Sequence, residues 1–269
     1  IEHVYNLFYE NKHSFDSIVG SCKTNESFAA VDMVCAKTLY NYVDKGLLQI
    51  SNVDLPFKLK RDTKSKRIRF HKRKLGTSID LRPDIINSRS EFGHWEIDTV
   101  IGSKSKEDNV LLTLTERMTR KQIIRMIPSK TADAVQNSIN ELFTECGSLY
   151  TKVFKSFTAD NGLEFSKLST LENSSNLRVY FAHPYSSGER GTNERHNGLI
   201  RRFIPKGRRI KDYTHKNIIK VQNWCNSLPR KILNYLTPDQ AFEDQIRELF
   251  YQELLQWYSL CSQENLYAL

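Results

Sequence analysis

The stretch Gly93-His-Trp-Glu-Ile-Asp-Thr-Val-Ile-Gly102 decides how the chain reads. It is rich in β-branched residues and bounded by polar turns, so His94–Gly102 is expected to be a strand. Strand alternation then puts Glu96 and Asp98 on one face. A carboxylate at a buried strand centre is costly unless it is paired or holds a cation, which makes Asp98 the residue to explain. Downstream, Asn109–Arg117 and Lys121–Pro128 read as two further strands. Thr131 to Gly147 reads as an amphipathic helix, with Val135, Ile139, Leu142, Phe143 and Cys146 on one face. Lys155–Ala159 is strand-like and runs into the turn signal Asp160-Asn-Gly162. Leu177–His183 is another strand. A helix from about Thr192 to Phe203 follows, then one carrying Ile218, Val221, Trp224, Cys225 and Leu228, and last an amphipathic stretch from Phe242 to Tyr258. Strands alternating with helices in this way predict a mixed α/β domain.

Upstream the texture differs. The first fifty residues read as helices, with Phe15, Ile18, Val19 and Cys22 helically spaced, and Val31, Val34, Leu39 and Val43 spaced similarly with slippage. The run from Cys35 ends at Gly46, a good helix stop, and carries Lys37, Thr38, Asn41 and Tyr42 on its polar side. Such a helix suits the recognition helix of a helix-turn-helix, a pattern it shares with many small helical modules. From Ser51 to Ser90 the pattern dissolves into charge, with Pro56 and Pro83 as punctuation, and reads as a linker lying along DNA. The expected organisation is a helical module over 1–50, a basic linker over 51–90, an α/β domain over 91–245 and a helical tail over 246–269.

Composition bounds the function. Of 269 residues, 39% are hydrophobic, and no apolar run approaches the ~20 residues of a membrane span, so the chain is expected to be cytoplasmic and off the membrane. A start on Ile1 rather than Met is expected of a fragment of a longer product. Cys22, Cys35, Cys146, Cys225 and Cys261 are scattered, without C-x-x-C spacing, which argues for reduced thiols and against a thiolate zinc site. The net charge of +9 equals the net charge of one block, Lys58, Lys60, Arg61, Lys64, Lys66, Arg67, Arg69, Lys72, Arg73 and Lys74 against Asp62. A second basic cluster runs from Arg178 to Lys211. A single-sign block can be a solvated linker, but two separate clusters favour a polyanion, most simply nucleic acid. No P-loop, G-x-G-x-x-G or G-x-S-x-G occurs, so a nucleotide cofactor and a serine-hydrolase elbow have no support. His94, His183 and His196 sit in no metal-binding pattern.

Three acids then stand out: Asp98 in a strand, Asp160 at the end of another, and Glu194 in the first turn of a helix. Hard oxygen ligands of this kind suit Mg²⁺ or Mn²⁺, and a pair of such ions stabilises both oxygens of an in-line displacement at phosphorus. Among 31 acids such an arrangement also arises by chance, and an Asp before Asn-Gly also serves as a turn. The helix adds to the metal reading: Glu194, Asn197 and Arg201 share a face, and Arg202, Lys206, Arg208 and Arg209 continue the positive surface.

These motifs resemble one family. Gly93–Gly102, Thr158-Ala-Asp-Asn-Gly-Leu-Glu-Phe165 and Arg190-Gly-Thr-Asn-Glu-Arg-His-Asn-Gly-Leu-Ile-Arg-Arg-Phe-Ile-Pro-Lys-Gly207 are similar to the transposases of the IS-thirty family of bacterial insertion sequences. Thr113–Arg117, Tyr180–Tyr185, Leu228–Pro238 and Lys37–Leu48 extend the likeness over roughly residues 35 to 245. The resemblance implies an α/β, ribonuclease-H-like mixed sheet with flanking helices, preceded by a helix-turn-helix-like module, and a DDE triad. Position by position, that triad falls on Asp98, Asp160 and Glu194, with thirty-three residues between the last two. It further implies two Mg²⁺ or Mn²⁺ ions, double-stranded DNA as partner (element ends and target), and a homo-oligomer that brings two ends together. The sequence departs from the family at Gly188, where a Trp is usual, and in a short N-terminal segment. A decayed transposase that only binds DNA is therefore the alternative.

Overall fold

A computed structural model describes residues 1–24, 33–55, 75–103, 105, 107–173, 176–183 and 191–264. The chain divides into two compact units, Ile1–Phe70 with Leu228–Thr237, and His71–Ser227 with Pro238–Leu269.

In the first unit, α1 (Glu2–Tyr5) runs into a π-turn at Asn6–Glu10, followed by α2 (Phe15–Thr24) and α3 (Ala36–Asp44). Their apolar faces meet in a core of Phe8, Phe15, Ile18, Val19, Leu39 and Val43, closed by Leu48, Ile50 and Leu55. The expected stop at Gly46 is realised: φ is +67° there, and the amides of Gly46 and Leu47 bond the carbonyls of Val43 and Tyr42. That is a Schellman ending, which favours glycine at the left-handed position. Val34, read with the helical face, lies before the helix and is exposed. The segment Leu228–Thr237, expected within the 91–245 domain, joins this unit instead. The Ser17 hydroxyl donates to the Pro229 carbonyl at 3.3 Å, and Gly20 lies so close to the Tyr235 ring that a Cβ would collide with it.

The second unit is built on five strands, β1 (His94–Ile101), β2 (Val110–Glu116), β3 (Gln122–Ile127), β4 (Ser156–Ala159) and β5 (Arg178–Phe181), in the order β3-β2-β1-β4-β5. The β1–β2 and β2–β3 pairs are antiparallel, while β1–β4 and β4–β5 are parallel. Helices α4 (Asp84–Asn87), α5 (Ala132–Cys146), α6 (Tyr150–Val153), α7 (Gly191–Ile200), α8 (His215–Ser227) and α9 (Pro238–Glu264) surround the sheet. Mixed sheet and flanking helices agree with the ribonuclease-H-like class expected from the sequence, and each expected strand is present within two residues of its limits. The Thr131 hydroxyl caps α5 by accepting from the Ala134 amide at 3.3 Å.

Alternation along β1 divides the core. Trp95 and Ile97 face Leu112, Leu114, Phe157 and Phe181 and the apolar stripe of α5, Val135, Ile139 and Leu142. On the other face Val100, Leu111 and Ile124 pack under Ile200, Ile204, Ile210, Ile218 and Val221 from α7, α8 and the segment between them. The remaining residues of β1 on that second face, His94, Glu96 and Asp98, are polar.

The reading of 51–90 as an unfolded linker is corrected over residues 75–90. Ile79 and Ile86 are buried, the Phe181 amide donates to the Thr77 carbonyl at 2.8 Å, and Arg82 is buried with its guanidinium on Thr158 Oγ1 (3.1 Å) and Asn87 Oδ1 (2.8 Å). Two apolar anchors seven residues apart suffice to dock the segment on the sheet edge. The basic block Lys58–Lys74 lies outside the described residues. Among the described residues, no helix is long and apolar enough to cross a membrane.

Phe157 is fully enclosed between β1, β5 and α5. Phe157→Ala is expected to lower unfolding stability by about 3–5 kcal/mol, read as a shifted urea midpoint at unchanged slope.

Candidate active site

The β1–β4 register sets the site. Glu96 stands opposite Thr158 at the end of that ladder; Asp98 lies two residues farther along β1, and Asp160 lies just past the end of β4. Both residues are half-buried, and α7 reaches Asp98 through Asn197. Asp98 Oδ1 accepts the Thr99 amide at 2.8 Å, and Oδ2 accepts Asn197 Nδ2 at 2.9 Å. Asp160 follows the last residue of β4, and its Oδ1 accepts the Gly162 amide at 2.9 Å, an Asx turn. Asn161 fixes the same turn by donating to the Ala182 carbonyl at 2.6 Å and accepting the Leu75 amide at 3.3 Å.

Helix α7 carries Glu194 and packs on the strand that bears Asp98. Asn193, His196 and Ile200 are buried, and Asn197 reaches Asp98. Glu194 occupies α7 one turn before Asn197, and its side chain lies outside the described residues, as does the Gly188 loop. Among the described residues no group of three or more His, Cys, Asp and Glu converges into a metal cage. The chemistry of the donors fits a hard cation: Asp98 and Asp160 offer carboxylate oxygen, the ligand Mg²⁺ and Mn²⁺ prefer.

Further buried charges lie beside these residues. Glu164, only 6% exposed, accepts the Thr99 hydroxyl at 3.1 Å and pairs with Lys130 Nζ at 2.9 Å. A Cβ on Gly162 would lie 2.5 Å from Glu164 Oε2 and 2.8 Å from Asp160 Oδ1, so a side chain there would displace these carboxylates from the turn. Below Asp98, Glu96 is 0% exposed and pairs with Arg117, itself 3% exposed. Burial beside Arg89 pulls the Arg120 guanidinium down to about 10. Burial also pushes the Glu116 carboxyl up, against hydrogen bonds from Thr119 and Gly93. The sequence reading did not name Lys130 or Thr99, and it placed Asn197 on one face with Glu194 without its partner Asp98. A lone lysine between a strand and a helix carries no signal, whereas the i, i+3 spacing of Glu194 and Asn197 does.

The basic candidates separate by burial. Lys37 and Asn41 are exposed on α3, while Thr38 is half-buried with its hydroxyl 3.2 Å from Cys35 Sγ. Arg201 is half-buried and donates to the carbonyls of Ile101 (2.7 Å) and Ile204 (3.4 Å). Arg202 lies 5.3 Å above the Trp224 ring, a cation–π contact. Lys206, Arg208 and Arg209 are exposed.

The chain is 43% identical over 231 residues to the probable transposase for insertion-like sequence element IS1161 of Streptococcus salivarius, covering 86% of this chain and 64% of that protein. Its sequence relatives include insertion-sequence transposases. Another is the transposase InsI for insertion sequence element IS30C of Escherichia coli, 36% identical over 62% of this chain and 42% of its own length. The chain thus spans under two thirds of the length of these transposases. Among solved structures, the catalytic core domain of BIV integrase matches 60% of this chain and 99% of its own at TM-score 0.43 and 18% identity. No family model matches the chain.

His94, at the opposite end of β1 from Asp98, bonds Ser156 Oγ at 2.7 Å and Glu91 Oε2 at 2.9 Å. Burial lowers its pKa despite the neighbouring carboxylate. The unfolded chain therefore takes up this proton first, and stability present above about pH 6.5 is lost as pH falls toward the folded value. The thermal midpoint is expected to drop between pH 7 and 5 more steeply in the wild type than in His94→Gln.

Proposed function

We propose that the chain is a DDE transposase that cuts and joins DNA at the ends of an insertion sequence. Asp98 on β1, bonded by Asn197 of the helix that carries Glu194, with Asp160 just past the end of the neighbouring parallel strand β4, supports this reading. Asp98, Asp160 and Glu194 would hold divalent metal, Mg²⁺ or Mn²⁺, as two ions. Bound there, such a pair stabilises the attacking and leaving oxygens of an in-line displacement at phosphorus. Asn197 holds the Asp98 carboxylate in one orientation, and the Gly162 turn does the same for Asp160. Lys130 offsets the charge of Glu164 beside them.

The chemistry needs two displacements. Water attacks a phosphodiester at the element end, breaking the bond to the 3′ oxygen and releasing a 3′-hydroxyl. That hydroxyl then attacks a target phosphodiester, which loses its own 3′ oxygen. No covalent enzyme intermediate and no nucleotide cofactor enters. The helix bearing Lys37, Thr38 and Asn41 would read the terminal inverted repeats, and the basic block with Lys206, Arg208 and Arg209 would follow the phosphate backbone. Two ends require a homo-oligomer, acting in the cytoplasm at the nucleoid.

The test uses labelled DNA flanking the gene, incubated with protein and Mg²⁺ or Mn²⁺. Site-specific 3′-end cleavage and joining is expected, lost by at least about a hundredfold in Asp160→Asn while DNA binding persists. Full cleavage by Asp160→Asn would refute the triad. Specific binding without cleavage in either metal would leave a DNA-binding protein alone.

A further inference from the structure

One buried carboxylate outside the triad holds the β1–β2 turn to the basic segment that follows α7. Asp108 is 3% exposed. Its Oδ2 accepts the Ser103 amide (3.1 Å), the Ser103 hydroxyl (2.9 Å) and the Ile210 amide (3.0 Å), and its Oδ1 accepts the Lys211 amide (3.0 Å). The Gly207 amide donates to the Gly102 carbonyl at 2.9 Å. A Cβ on Gly102 would run into the Arg208 carbonyl oxygen, so the two backbones meet where no side chain fits. Ile204 and Ile210, both fully buried, anchor the segment at either end. Burial alone would raise the Asp108 carboxyl, but the amides of Ile210 and Ser103 outweigh it and hold it below the ordinary carboxylate range.

The clamped segment is Pro205-Lys-Gly-Arg-Arg-Ile-Lys211, with four cations and no acid. Lys206, Arg208, Arg209 and Lys211 are exposed. Four like charges in seven residues repel one another, and a free loop of that kind would have to be ordered on binding, at a cost in affinity. Here two successive amides turn inward onto Asp108, and the cations are left on the outer side. Exposed cations spread along a fixed backbone suit a polyanion with spaced charges, the DNA phosphate backbone, better than one small anion.

We propose that Asp108 is a positioning residue that presets residues 205–211 as a phosphate-binding ridge for DNA; this rests on the transposase reading. The ridge begins where β1 ends, a few residues beyond Asp98, so it grips the duplex next to the reacting phosphodiester.

The experiment measures binding of the full chain to duplex DNA carrying the flanking element ends, by fluorescence anisotropy over a range of salt. Asp108→Ala is compared with Lys206→Gln/Arg208→Gln/Arg209→Gln and with the combination of all four changes. Asp108→Asn, which keeps an acceptor for Ser103 and Ile210 but turns an amide toward the Lys211 N–H, is the milder variant if alanine impairs folding. Asp108→Ala is expected to weaken binding about tenfold near 0.15 M salt and to flatten the salt slope by about one or two phosphates. The combined variant should bind no more weakly than the charge variant, because both remove the same contact. A merely structural defect lowers the active fraction and leaves the salt slope unchanged. Wild-type affinity and slope in folded Asp108 variants, or losses that multiply in the combination, would overturn this inference alone. A wild-type chain that binds no duplex DNA would overturn the transposase reading and the ridge with it.

Discussion

Charge on the inner strand of a sheet has to be answered, and in β1 it is answered twice on the same face. Glu96, fully buried, is neutralised by Arg117 from the β2–β3 turn. Breaking such a pair from one side leaves an uncompensated buried charge and costs about 3–5 kcal/mol, so the pair fixes how β1 and β2 meet. One step farther along the strand, Asp98 accepts the Thr99 amide and the Asn197 side chain and stays half-buried. The buried ion pair below and the half-buried carboxylate above give the face its polarity.

The two faces of the sheet divide the labour. Trp95, Ile97, Phe157 and α5 form the larger apolar core, which makes the parallel β1–β4 pairing rigid. That rigidity matters because the parallel register brings the end of β4, with Asp160 just past it, alongside the strand that carries Asp98. The face under α7 and α8 is apolar only beyond the carboxylates, at Val100, Leu111 and Ile124. Buried Ile200, Ile204 and Ile210 therefore seat α7 and the basic segment after it on the end of the sheet where the acids lie.

Much of this was legible in the sequence because it obeys short-range rules. Alternation in His94–Gly102 exposed the odd position of Asp98, the Asp-Asn-Gly signal marked the turn at Asp160, and Thr131 with Gly147 bracketed α5. Tertiary partners were not legible. Residues 75–90 read as linker because their two apolar anchors are diluted by polar neighbours, and their partners, Thr158 for Arg82 and Phe181 for Thr77, are distant in sequence. Leu228–Thr237 joins the helical unit through Gly20 against Tyr235, a contact more than two hundred residues apart in sequence. Asp108 looked like one acid in a polar turn, since its four partners come from a turn and a loop that no periodicity connects.

The central claim is that Asp98 and Asp160 act as one metal-binding unit. Titrating Mn²⁺ into the full chain and following loss of the free-ion electron paramagnetic resonance signal tests it without DNA or turnover. The account predicts saturable binding that weakens at least about tenfold in both Asp98→Asn and Asp160→Asn. Wild-type titration curves from both variants would contradict it.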